Sequence, residues 1–168
     1  MHSFPNLLKQ LHKIEFDYED GKGIDFEPYE NFLSEKETNK WLKAWTGNSE
    51  VKGDSLLVFG QDGTGGYAAF WLINKEQDIL KQPIVFLGSE GEIGVVANNF
   101  DDYLWLLAQK HGPFEAIYYP ENSKKVNQAF LDFAKKCSKS EYREVLEIIK
   151  DAKNTHPDFE TWIESLIR

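Results

Sequence analysis

Apolar positions along the chain change period several times, and each change marks an element. Phe4, Leu7, Leu8, Leu11 and Ile14 recur at helical spacing, which predicts an amphipathic helix over residues 4–14. Ile24-Asp25-Phe26-Glu27-Pro28-Tyr29 alternates apolar and polar instead and reads as an edge strand, a place where Pro28 is tolerated. Ser34 followed by Glu37 makes a capping box. The helix it opens puts Trp41, Leu42 and Trp45 on one face and stops at Gly47. Short continuous apolar runs come next. Leu56–Phe59 and Tyr67–Ile73 flank a glycine-rich segment, and Pro83–Gly88 and Ile93–Ala97 flank Ser89-Glu90-Gly91. Each pair predicts a β-hairpin.

Helical periods return after the second hairpin. Asn99 caps a helix through Tyr103, Leu104, Leu107 and Ala108, ended by His111-Gly112-Pro113. Ser123 is expected to cap Lys124–Lys136, with Val126, Ala129, Phe130 and Phe133 inward. Ser140 is expected to cap Glu141–Lys153, with Tyr142, Val145, Leu146 and Ile149 inward. Asp158 then caps a short helix carrying Phe159, Trp162, Ile163 and Leu166. Helix, hairpins, then helices predicts an α+β fold: a mainly antiparallel twisted sheet of hairpins with helices packed on it, plus a helical C-terminal extension. Residues 1–112 form the α+β part and residues 113–168 the extension. The apolar stripes of that extension need a partner, so the two parts read as one structural unit.

The segment Gly63-Thr64-Gly65-Gly66-Tyr67-Ala68 spells G-x-G-x-x-A, the fingerprint of a dinucleotide site. Those glycines cradle phosphate only where they lead from a strand into a helix. Here a strand follows, and the region some 20 residues on, Ile84-Val85-Phe86-Leu87, has no acid to hold a ribose. Gly60, Asp62, Gly63, Gly65 and Gly66 are therefore read as the structural turn of a hairpin, with at least one glycine at positive φ. A nucleotide-binding enzyme built on this loop is the least favoured reading.

Composition permits a real core: of 168 residues, 41% are hydrophobic and 14% aromatic. Residues 1–112 carry 10 lysines against 18 acids, and residues 113–168 carry 9 basic residues against 10 acids, so the net charge of −9 sits in the first two-thirds. So negative a surface repels phosphate backbones and disfavours nucleic acid, while suiting a basic protein partner. The N-terminal residues lack the basic and apolar regions of a signal peptide, and no apolar run reaches 18 residues, so no membrane span is predicted. One cysteine, Cys137, fits a reducing cytoplasm and reads as core filling.

Catalytic candidates are few. His2, His12, His111 and His156 have no neighbour at metal-ligand spacing and read as surface or capping residues, His111 above all. Gly88-Ser89-Glu90-Gly91 lacks the glycine two before serine that a nucleophile elbow needs. Glu90 and Glu92 read as a solvated turn, not an acid–base pair, and the glycine-bearing acidic loop 15–23 fails the EF-hand pattern. No catalytic residue, metal or cofactor is expected. The densest charge is acidic: Asp17, Glu19, Asp20, Asp25, Glu27 and Glu30 put six carboxylates within fourteen residues against Lys22 alone. This stretch is either a solvated edge or a docking surface for a basic partner, with exposed Tyr18 or Tyr29 as anchors.

The order "WLKAWTGN", "LLVFGQDGTGGYAAFWLI" and "QPIVFLGSEGEIGVVANNFDDYLWLLA" resembles the SUKH superfamily over roughly residues 20–110. That superfamily holds bacterial immunity proteins of polymorphic toxin systems and fungal regulators of cell-wall glucan synthesis. Its pattern falls here on Phe59, Asp62, Gly63 and Gly65, on Pro83 to Gly88, and on Val96, Ala97, Phe100, Tyr103 and Leu104. The resemblance implies a sheet with helices packed on it, no catalysis, a cytoplasmic location and function through binding. The cognate partner would be a toxin, often a nuclease. An orphan regulatory module of the glucan-synthesis type, or a scaffold using exposed aromatics, is the alternative.

Overall fold

Five strands make one antiparallel sheet in simple sequence order, and the computed structural model describes residues 2–168. The strands are β1 (Glu27–Pro28), β2 (Leu56–Gln61), β3 (Tyr67–Trp71), β4 (Ile84–Leu87) and β5 (Ile93–Ala97). Seven helices surround them: α1 (Asn6–Leu11), α2 (Glu35–Thr46), α3 (Phe100–Ala108), α4 (Pro113–Tyr118), α5 (Gln128–Cys137), α6 (Val145–Thr155) and α7 (Phe159–Leu166). The fold is α+β, with the helical C-terminal extension expected from its sequence. Among the described residues, no helix is long and apolar enough to cross a membrane.

Alternate residues of each strand enter different cores. Phe59, Ala68, Phe70, Ile84, Phe86 and Val96 face a cluster with Leu8 and Leu11 of α1, Tyr103 and Leu107 of α3, Phe130 and Ala134 of α5, and Ile148 of α6. Val58, Ala69, Trp71, Val85, Leu87 and Val95 face a second cluster with Leu42 of α2, Ala152 of α6, and Phe159 and Ile163 of α7. The sheet is covered on both faces, which is why its strands read as continuous apolar runs and not as alternating ones.

The caps in the first two-thirds are those the sequence predicts. Ser34 accepts from the Glu37 amide, Asn99 from the Asp102 amide, and Gly47 ends α2 at φ 68°. The extension differs in detail. Asn127, not Ser123, caps α5, and α6 starts after Glu144, well past Ser140. Val126 and Tyr142 therefore precede the helices, and they and Leu146 lie outward, about half of each exposed. Ala129 is exposed as well. Ser140 has other work, since its carbonyl and hydroxyl oxygens both accept from Trp105 Nε1 at 3.1 Å. Asp158 precedes α7 without a capping bond. Helix α4 was not expected at all: Gly112-Pro113 starts a helix, with Glu115 Oε1 accepting from the Gly112 amide at 3.0 Å.

Gly60, expected in the hairpin loop, lies inside β2. Pairing steps from Val58–Ala69 to Gly60–Ala68, leaving Phe59 as a bulge residue. A Cβ on Gly60 would stand 2.1 Å from Phe26 Cζ, so the glycine exists to seat that ring. The loop proper runs from Asp62 to Gly66, with Gly65 at φ 91°. Gly65 has open space around its Cβ position, so only the backbone resists a side chain there. Gly65→Val is expected to lower unfolding stability by about 1 kcal/mol or more in urea titrations. An unchanged midpoint would contradict the left-handed assignment.

Candidate protein-docking surface

In an antiparallel meander the two hairpin loops fall at one end of the sheet. The Asp62–Gly66 loop is built on a carboxylate: Asp62 Oδ1 accepts from the Thr64 amide at 2.8 Å, the Thr64 hydroxyl at 2.7 Å and the Gly66 amide at 3.0 Å. Asp25 Oδ1 accepts from the Gly63 amide at 2.8 Å, and the Gly65 amide donates to the Asp62 carbonyl at 3.1 Å. The amides of residues 63–66 are all occupied by this chain's own oxygens. A phosphate finds no donor there and meets two carboxylates. The loop is a turn, not a cradle.

The second hairpin reaches the first through Ser89, whose hydroxyl donates to Thr64 Oγ1 at 2.9 Å. Its Glu90 and Glu92 are exposed. Glu27, paired across from Gln61, accepts from that residue's amide at 3.0 Å. Asp25, Glu27, Asp62, Glu90 and Glu92 thus gather at one end of the sheet, and none of them makes a salt bridge among the described residues. Asp62 is 2% exposed, and its Oδ2 is buried without a hydrogen-bond partner. The Tyr118 hydroxyl feels this charge: desolvation first, then Glu92, Glu90 and Asp62, push its pKa upward.

Beside the acidic end lies an aromatic shelf. Trp41 and Trp45, one turn apart on α2, stack at 5.6 Å, and Trp41 meets Tyr67 at 4.5 Å. Trp45 Nε1 donates to the Gly88 carbonyl at 2.7 Å, pinning α2 to the end of β4. Tyr29 donates to Gln61 Oε1 at 2.7 Å, and its hydroxyl is pushed up to about 12 by desolvation, with Tyr67, Glu27 and Glu37 adding to it. All four rings are half-buried. Large aromatics held rigid with one face open beside carboxylates make the kind of anchor that basic partners dock on.

The acidic segment itself is split three ways. Asp17, Tyr18, Glu19 and Asp20 form an exposed turn, Tyr18 at 55%, and Asp17 Oδ1 accepts from the Glu19 amide. Glu19 pairs with Lys110 at 2.8 Å, and Lys124 donates to the Gly23 carbonyl at 2.7 Å, so lysines distant in sequence sit against this turn. Asp25 and Glu27 belong to the hairpin end. Glu30 lines a separate cleft with Lys9, His12 and Lys13. Tyr29, expected as an exposed anchor, is half-buried because its hydroxyl serves Gln61. The contributions of Asp62, Glu90, Glu92, Trp41 and Trp45 were missed. Pairing the hairpins in register would have brought the two loops together from sequence.

Of the histidines, His2 is exposed and His12 and His156 stand at the C-caps of α1 and α6, within the surface-or-capping reading, whereas His111 is buried. His111 is 1% exposed, held by the Gln109 carbonyl at 2.8 Å and the Tyr119 carbonyl at 3.3 Å, and burial lowers its pKa. His12 donates from Nδ1 to the Tyr29 carbonyl at 2.6 Å inside a ring of Phe4, Phe16, Phe26 and Phe59. Among the described residues, no group of three or more His, Cys, Asp or Glu could hold a metal ion. Compared with family models, curated proteins and solved structures, the chain gives no match in any of the three.

Proposed function

We propose that the chain is a non-enzymatic binding protein that captures a basic protein partner, acting as an immunity protein against a cognate toxin. The observation that carries this is the hairpin end, where Asp25, Glu27, Glu90 and Glu92, without salt-bridge partners among the described residues, surround the buried Asp62 beside the Trp41–Trp45–Tyr67 shelf. Unmatched negative charge at a rigid end steers a basic surface into contact, and the rings supply the desolvated centre. A nuclease toxin suits it, because a site that binds nucleic acid is basic. The reading needs no cofactor, metal or nucleic acid, and places the protein in the cytoplasm, where such a toxin would act. A regulatory interaction module of the glucan-synthesis type would use the same surface for a different partner. A neighbouring gene encoding a secreted protein with a C-terminal toxin domain separates the two.

With that toxin domain in hand, reversing Glu27 and Glu90 to Lys is expected to slow association about tenfold at low salt and flatten its salt dependence. The melting temperature should hardly move, because exposed charges contribute little to stability. Unchanged association rates and salt slope would place the interface elsewhere. Failure of the unaltered chain to bind or protect against the toxin would remove the immunity reading.

A further inference from the structure

A cleft of about 540 Å³ opens on the side of the molecule where the turn 19–21 meets the start of the extension. Of the charged side chains lining it among the described residues, Lys22, Lys110, Lys124 and Lys125 are basic and Glu19 alone is acidic. Glu19 is matched by Lys110 at 2.8 Å, and Lys124 also feels Glu115 behind the wall, which leaves Lys22 and Lys125 unmatched. In a chain of net charge −9, so local a reversal of sign is unusual and calls for a cause.

Two of the ammonium groups are fixed in place. Lys110 is held by Glu19, and its side chain is only 15% exposed. Lys124 Nζ donates to the Gly23 carbonyl at 2.7 Å and the Lys110 carbonyl at 3.1 Å, and desolvation lowers its pKa. An ammonium has three donors, so the third of Lys124 is free for a ligand. Ser123 adds a hydroxyl to the wall. The backbone is also held unusually here. Glu19 (φ 47°), Asp20 (φ 52°) and Lys110 (φ 58°) are the non-glycine residues with positive φ among the described residues; Lys110 is the left-handed residue that ends α3, and Asp20 lies between the lining residues Glu19 and Gly21. Such conformations persist where surrounding contacts over-determine them, and they concentrate at ligand sites.

We infer that this cleft binds a small, multiply charged anion of the phosphate class. Its volume lies within the range of small-molecule sites, and its lining is lysine and hydroxyl where most such sites are apolar, so the occupant is polar and charged. Ammonium groups bind phosphate as point charges, and the lining carries lysines and no arginine. Asp17 and Asp20 on the adjoining turn weaken the field of the lysines, and the acidity of the rest of the surface, beyond about 8 Å, is screened at physiological salt. The inference does not depend on the docking surface, which lies at the hairpin end.

Calorimetric titration with pyrophosphate and tripolyphosphate, and with citrate as a carboxylate control, tests it. Saturable one-site binding of the phosphates is expected, tighter than that of citrate and weakened by salt. Lys22 and Lys125 are exposed, so the Lys22→Gln/Lys125→Gln variant should keep its melting temperature. It should bind at least about tenfold more weakly, since two charges are lost from the cleft. Absence of saturable binding, tighter binding of citrate, or undiminished binding by the folded double variant would each overturn the assignment.

Discussion

Cut after Gly112, the chain is expected to lose cooperative folding and to aggregate. The extension contributes Phe130, Ala134, Val145 and Ile148 to one core, and Ala152, Phe159 and Ile163 to the other. Without it, Trp71, Val85, Leu87 and Val95 on one face of the sheet lose α7 and part of α6. An ion pair anchored on a buried carboxylate goes too: Asp102 of α3 is bonded to the partly exposed Arg143 at 2.8 Å, and Arg143 also reaches Asp151 at 3.0 Å. Truncating a single buried Phe to Ala costs about 3–5 kcal/mol, against a total stability of about 5–15 kcal/mol for a domain. Losing seven buried residues at once exceeds that margin. Size-exclusion chromatography and a thermal melt of residues 1–112 check the outcome. A monomeric fragment with a sharp transition would refute it, and Phe130→Ala and Phe159→Ala in the full chain provide graded versions.

Acid should unfold the protein partly through His12. Its imidazole is lowered to about 4, with desolvation the main cause and the Tyr29 carbonyl working against it. The unfolded chain protonates the same ring near 6.5, so below that pH it binds more protons than the folded chain. Stability is therefore full above about pH 6.5 and falls until pH reaches about 4, by about 3 kcal/mol. Protonation would place a new N–H on Nε2, an atom already buried without a partner. His111 and His156 are lowered as well and act in the same direction. Asp102 and Glu115, raised by burial, take up protons first in the folded state and offset part of the loss. Lys9, Lys13 and Glu30 are the charged residues lining the adjoining cleft. His12→Gln keeps a donor for Tyr29 and cannot titrate, so its urea midpoint should fall less between neutral pH and pH 4.5. An acid limb as steep as that of the unaltered chain would assign the loss elsewhere.

The sheet was legible because β2 to β5 are short apolar runs closed by glycine, proline or a turn, and because Ser34 and Asn99 have no competing bonds. The extension was less so. Serine at 123 and 140 has the chemistry of a cap, but the folded chain uses Ser140 to satisfy the Trp105 indole and lets Asn127 start α5. With α6 starting at Val145, Tyr142 lies ahead of the helix, and Ile148 and Ala152 join Val145 on its buried face while Leu146 points outward. Gly112-Pro113 reads as a stop, yet proline is also a natural first residue, and Glu115 two positions later was the signal for α4. The site failed for a different reason. Six carboxylates adjacent in sequence suggest one surface, whereas a turn, a strand and a loop carry them to three places. The carboxylates that do converge come from segments more than twenty residues apart.

Finally, consider what the outer strands leave to a visitor. One is β1, two residues long, and Pro28 has no amide hydrogen to offer. The other, β5, has α4 and α6 lying along it. Neither margin presents a long open edge, which disfavours recognition by backbone pairing. Whatever docks is read chiefly by its side chains. Its own secondary structure is then unconstrained, and selectivity rests on the placement of its charges and rings, which a few substitutions on either partner can change.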